Sequence, residues 1–196
     1  MNLYHEKQQP DRRTLTAQGG RKAMYTLQEL NDMTEHDFTN SLKDIYEHSP
    51  WVAEKAAIHR PFFSRNDLHS AMVQQVRKAS PEEQTNLICA HPVLGTSKPM
   101  SSSSVSEQEG AGLQHLTEEE QQRFDELNAL YMEKFEFPFI YAVKNKTKRD
   151  IYESLEARIE LTKEQEREQA LEEIFKIANF RLDALLIEEK EERLSH

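Results

Sequence analysis

The sequence predicts an all-α protein, a single-domain helical bundle, and three observations carry that reading. Apolar residues recur at three- and four-residue steps through most of the chain. Helix-start signals stand in front of several of those runs. The longest candidate strand is Phe139-Ile140-Tyr141-Ala142-Val143, a short continuous run rather than an alternating one. Residues three and four apart share a helix face, whereas strand neighbours alternate between faces, so the period separates the two. At 196 residues the chain is long enough to bury one substantial core.

The elements follow in order. Thr26 caps a short helix through Met33, and Thr34 precedes a longer one with Phe38, Leu42, Ile45 and Tyr46 on one face. His48-Ser49-Pro50 ends it, because the residue before a proline avoids the helical region. A short helix from about Trp51 to His59 stops at Pro61, and Asn66 opens another with Leu68, Met72 and Val76 inward. Ser80-Pro81-Glu82-Glu83 places Ser at N-cap, Pro at N1 and Glu at N3, and His91-Pro92 ends the helix it starts. Thr117 with Glu120, Thr147 with Asp150, and Thr162 open three more. In the last and longest, Leu171, Ile174, Phe175, Ala178, Leu182, Leu185 and Leu186 follow a helical period. The domain is placed at residues 24–187. A leader at 1–23 is read as a disordered tail or an added expression leader, and 188–196 as a charged tail or linker.

Composition excludes several classes. The formal charge of −10 argues against a general nucleic-acid binder, which needs a basic surface to displace counterions. No apolar run reaches the roughly 20 residues that span a bilayer. The one cysteine, Cys89, allows no intramolecular disulfide and suits a reducing cytoplasm. Cys89 and His91 offer at most two ligands where zinc takes three or four, so no metal site is expected. The glycines form neither a dinucleotide fingerprint nor a P-loop, and there is no GxSxG elbow.

Two segments do not read as helix packing: His91-Pro92-Val93-Leu94-Gly95 with the serines after it, and Ser104-Val105-Ser106-Glu107-Gln108 leading into Gly110-Ala111-Gly112-Leu113. Taken singly, their polar residues have ordinary explanations. His91 suits the C-terminal end of a helix. Ser104 and Glu107 have the spacing of an N-cap and N3. Arg158 flanks the Ile151-Leu155-Ile159 stripe with no acidic residue three or four positions away.

Together they are specific. The chain carries AHPVLG at 90–95, SVSEQEGAGL at 104–113, FPFIYAVKNKTKRDI at 137–151 and LEARIE at 155–160. From Met24 to about Leu186 it resembles the 2-oxo-4-hydroxy-4-carboxy-5-ureidoimidazoline (OHCU) decarboxylase family. The resemblance implies an all-helical, cofactor-independent carboxy-lyase of urate degradation, usually a homodimer, with OHCU as substrate and (S)-allantoin as product. It implies His91 and Glu107 as the catalytic pair and Ser104, Gln108 and Arg158 as substrate-binding residues. Pro92 and the backbone around Phe139, Ile140 and Ala142 would line the pocket. Val93, Glu136 and Leu161 depart from the family pattern, where Asp, Gly and Asn are common. Some bacterial relatives carry the decarboxylase fused ahead of a urate oxidase, and the end of this chain would suit such a linker.

The residue types suit that chemistry. OHCU holds a carboxylate and a hydroxyl on one ring carbon beside a C=N carbon, so electrons released with CO2 have a sink within the substrate. A histidine can take or give a proton near neutral pH, a carboxylate can orient it or the substrate, and a guanidinium offers a planar donor fork. Which of His91 and Glu107 moves the proton stays open at this level. So does a competing reading in which the chain is a helical interaction module and both residues are only caps.

Overall fold

The computed structural model describes residues 24–95, 102–111, 113 and 116–187. The leader (1–23) and the charged tail (188–196) lie outside the described residues. The described chain folds into nine helices: α1 (Leu27–Asp32), α2 (Glu35–Leu42), α3 (Trp51–Ala57), α4 (Arg65–Lys78), α5 (Pro81–Cys89), α6 (Ser102–Gly110), α7 (Glu118–Phe135), α8 (Lys148–Ile159) and α9 (Lys163–Leu185). Among the described residues there is no strand. An isolated parallel bridge joins Tyr25 to Leu186 and ties the two ends of the domain together.

The start signals work as the sequence implies. Thr26, Ser80, Thr117, Thr147 and Thr162 each close a reciprocal capping box with the residue at N3. Each box satisfies two backbone donors that the first turn leaves orphaned. Two boundaries differ from expectation. α4 starts at Arg65 because the Ser64 hydroxyl takes the Asp67 N–H. α2 ends at Leu42, and the chain then turns through to His48, whose φ of 47° breaks the helical path before Ser49-Pro50. Ile45 and Tyr46 are still buried, from a turn rather than from the helix.

α9 is the centre of the packing, with α4, α5 and α7 against it, while α2 packs on α3, α3 on α4 and α7 on α8. Its inward face carries the predicted apolar stripe, including Leu171, Ile174, Ala178 and Leu182. That face also buries three charged residues: Glu166, Glu173 and Arg181. They are spaced to fall on one side of the helix.

One of those charges, Glu173, and Arg158 of α8 explain the segment between α7 and α8. Residues 137–143 run without helix or strand, with Phe137, Phe139, Ile140, Ala142 and Val143 buried. Buried backbone polar groups need partners, and here side chains supply them. Glu173 accepts the Ala142 N–H at 2.9 Å, and Arg158 donates to the Ile140 carbonyl at 2.7 Å. The continuous apolar run is thus an extended segment pinned by α8 and α9.

Candidate active site

The end of α5, the body of α6, the 137–143 segment and the middle of α9 meet around one cavity. Counted out to its open mouth the void is about 340 Å3, but the part in which a water molecule moves freely is about 30 Å3, so the walls stand close. His91 and Pro92 come from the end of α5, and Ser104, Glu107 and Gln108 from α6. Phe139 and Ile140 come from the extended segment. Sequence reading brings these seven to the site, and they do converge on it.

His91 follows the C-cap of α5, and its ring is buried. Nδ1 lies 3.0 Å from the Leu87 carbonyl. A carbonyl only accepts, so Nδ1 carries the hydrogen and Nε2 keeps its lone pair, on a residue that lines the cavity. Nε2 has no hydrogen-bond partner among the described residues. Burial, reinforced by the nearby Arg181 guanidinium and opposed by the Leu87 carbonyl, lowers the imidazole pKa from 6.5 to about 4. His91 does bond a terminal carbonyl of its helix, as a C-terminal histidine can. It does so neutral, so attraction of a charged ring to the helix dipole is not what holds it there.

Ser104 and Glu107 do not form a capping box. α6 begins at Ser102, which puts Ser104 inside the helix with its hydroxyl donating to Glu47 at 3.0 Å. The Glu107 carboxylate instead receives a two-pronged contact from Arg181, Nε to Oε1 at 2.8 Å and Nη2 to Oε2 at 3.0 Å. Gln108 is set by the AHPVLG turn: its Oε1 accepts the Gly95 N–H at 2.9 Å. Glycine is required there, because φ is +72° and a Cβ would stand 2.7 Å from the Phe124 ring.

Two expected residues are not on the cavity wall. Ala142 is one, with Tyr141 and Val143 on either side of it lining the site instead. Arg158 is buried and faces Glu166, with Nε 3.0 Å from each carboxylate oxygen and Nη2 in a still closer contact. Arg158 does not reach the cavity wall: its donors are turned to Glu166 and to the Ile140 carbonyl. Its partner lies eight positions on, across the α8–α9 turn, beyond the three- and four-residue spacings that sequence inspection covers.

The guanidinium at the cavity is Arg181, which sequence reading missed. The signal was present: Arg181 interrupts the apolar stripe of α9 between Ala178 and Leu182. A charge on the buried face of a central helix requires a partner or a purpose. Glu47 was missed too, and gave less warning, because it sits in the turn after α2.

The comparisons agree with this architecture. The profile of the OHCU decarboxylase family matches residues 31–183, and the chain belongs to that family. It is similar to the uric acid degradation bifunctional protein PucL of Bacillus subtilis, 47% identical over 87% of this chain and 35% of that protein. It is also similar to the 2-oxo-4-hydroxy-4-carboxy-5-ureidoimidazoline decarboxylase of Haloferax volcanii, 41% identical over 80% of this chain and 94% of the relative. The crystal structure of an (S)-allantoin synthase superposes with a TM-score of 0.69 at 34% identity, over 83% of this chain and 54% of that one. The chain therefore spans about a third of the length of the bifunctional relative.

Proposed function

We propose that this chain decarboxylates OHCU to (S)-allantoin and CO2 in urate degradation. The observation that carries the reading is the neutral His91, its Nε2 lone pair at a cavity shared with a Glu107 carboxylate held by Arg181. The C–CO2 bond breaks and its electron pair moves into the neighbouring C=N. His91 Nε2 takes the hydroxyl proton as that oxygen becomes a carbonyl. The imidazolium so formed is a strong acid in this enclosure and returns the proton to the adjacent ring carbon from one face. The ring nitrogen that received the electrons takes one proton from solvent, which balances the reaction. Glu107, held in place by the Arg181 fork, accepts hydrogen bonds from the substrate's ureido or ring N–H groups. Pro92, Gln108, Phe139 and Ile140 shape the site around the ring. Arg181 takes the place first given to Arg158.

The assay is direct. Urate with urate oxidase and hydroxyisourate hydrolase generates OHCU in place, and circular dichroism reads an excess of (S)-allantoin over the racemate formed spontaneously. Racemic product at every enzyme concentration would remove the proposal. The substrate is its own electron sink, so we read the reaction as cofactor-free, and dialysis against a chelator should leave the rate unchanged.

We also read the protein as a cytoplasmic homodimer, the commonest symmetric assembly. No helix among the described residues is long and apolar enough to cross a membrane. Light scattering at micromolar concentration that gave the 23.0 kDa of one chain would oppose the dimer. The bifunctional relative favours a further reading, that this domain is the decarboxylase part of a protein also carrying urate oxidase. The mass of the natural polypeptide tests that.

A further inference from the structure

The mechanism above makes no use of Glu47, yet Glu47 is built into the same charge cluster. Its side chain is 1% exposed, and it does not stand on the cavity wall, so it cannot touch a substrate there. Burying a carboxylate is costly unless it is paired and hydrogen-bonded, and Glu47 is both. It accepts from Arg181 Nη1 at 2.9 Å and from the Ser104 hydroxyl at 3.0 Å.

The donor count on Arg181 shows what this does. A guanidinium has five N–H bonds in a fixed fork. Nε and one Nη2 hydrogen go to Glu107, and the other Nη2 hydrogen to the Ser104 oxygen. The two Nη1 hydrogens go to Glu47 and to the Asp44 carbonyl at 3.2 Å. Every donor has an acceptor, so the plane of the guanidinium is fixed, and with it the plane of the Glu107 carboxylate. Ser104 completes the ring, since it gives its proton to Glu47 and its lone pair to Arg181. Of the three charged groups only Glu107 is open, at 28% side-chain exposure against 3% for Arg181.

We propose that Glu47 is a positioning residue of the decarboxylase site: its buried carboxylate holds the far arm of Arg181 and the proton of Ser104, and thereby aims the near fork that orients Glu107 at the cavity. The proposal rests on the OHCU decarboxylase reading. Without Glu47 the Nη1 side keeps only the Asp44 carbonyl, and Arg181 can rotate towards the vacated space and take Glu107 with it. A displacement on the order of 1 Å at a reacting geometry costs about a hundredfold in rate.

The test uses Glu47→Gln, Glu107→Gln and the double variant, assayed by the circular-dichroism method with melting curves on the same preparations. Wild type must first give (S)-allantoin in excess; if it does not, the decarboxylase reading fails and Glu47 is not what failed. With that in hand, Glu47→Gln should lose roughly tenfold or more in kcat with KM changed less than about threefold, at a temperature where it is fully folded. Because Glu47 acts through Glu107, the double variant should be no slower than Glu107→Gln alone. Losses that multiply, or a kcat for Glu47→Gln within twofold of wild type, overturn the proposal. If Gln prevents folding, Glu47→Asp decides: it keeps the charge but withdraws the carboxylate, and a wild-type kcat in that variant overturns the proposal. If neither variant folds at the assay temperature, Glu47 is a structural ion-pair partner and the proposal falls.

Discussion

Among the described residues two arginines are buried, and each lays its fork on a carboxylate, yet they do different work. Arg158 and Glu166 are closed in on every side, with side-chain exposures of 8% and 0%. The Tyr131 phenol donates to the same carboxylate, and the Phe139 ring lies 4.6 Å from the guanidinium carbon. Burial first, and then Glu166, push the Tyr131 hydroxyl pKa well above its usual value, so the phenol stays a donor. That cluster ties α7, α8 and α9 to the extended segment. Arg181 is as deeply buried, but one of its two carboxylates, Glu107, opens onto the cavity. A buried ion pair by itself is a fastening. It becomes part of a site when one member faces a space that a ligand can enter and the rest hold that member still.

Substitutions should separate the two clusters cleanly. The largest effects belong to the cavity. His91→Ala and Glu107→Ala should each lose about 10²–10⁴-fold in stereospecific turnover while staying folded, and Arg181→Ala about a hundredfold or more through misplacement of Glu107. Arg158→Ala should do the reverse. Leaving Glu166 buried without its cation should cost about 3–5 kcal/mol of stability, seen as a lower melting temperature. The fraction still folded in the cold should turn over within roughly tenfold of wild type. If Arg158→Ala melts normally but is inactive, the division between the clusters is wrong and Arg158 belongs to the site.

The sequence made one of these clusters easier to find than the other, for a physical reason. Helices were legible because their signals are local: a Thr or Ser N-cap and its N3 partner lie within one turn, as at Thr117 and Glu120. His91, Glu107 and Gln108 were legible through their motifs. Arg158 drew attention because it stands in a recognisable segment, and its true partner, Glu166, lies outside helical spacing. Arg181 lies 74 positions from Glu107 and 134 from Glu47, so only the fold brings them together. The polarity of the 137–143 segment was hidden similarly, because its backbone partners are side chains of α8 and α9. A charged residue within the apolar stripe of the longest helix was the one local clue to the missed guanidinium.

Acid should distinguish the clusters by stability as well as rate. His91 is held neutral, with its pKa lowered to about 4, while the unfolded chain protonates near 6.5. Above pH 6.5 both states are neutral and the contribution is full. Between about 6.5 and 4 the unfolded state binds a proton that the folded state refuses, so stability falls as pH falls, by a total on the order of 3 kcal/mol. Below about 4 the folded ring protonates too and the loss levels off. Chemical denaturation of wild type and His91→Asn across this window should differ by that slope. Parallel curves would mean that His91 is not buried neutral, and the base assignment would go with it. An unchanged kcat/KM from pH 7 down to about 5 is the kinetic counterpart.

The smallest effects come from two residues with left-handed backbone, one beside each cluster. Gly95 adjoins the cavity, and Gly95→Ala meets both an unfavourable φ and the Phe124 ring. It should cost about 1–3 kcal/mol and reduce activity, because the Gly95 N–H positions Gln108. Glu136 ends α7 on the structural side, with φ 64° and ψ 19°. A non-glycine residue in that conformation costs about 1 kcal/mol. Its side chain pairs with Lys163, but both are exposed, at 74% and 52%, and such pairs contribute about 0–1 kcal/mol. Backbone relief should therefore equal or exceed the lost pair. Glu136→Gly should leave stability unchanged or raise it by up to about 1 kcal/mol, with kcat and KM at wild-type values. A melting temperature clearly below wild type would show that the Lys163 pair outweighs the left-handed cap. A changed kcat would show that the end of α7 is coupled to the cavity after all, through the 137–143 segment that begins one residue later.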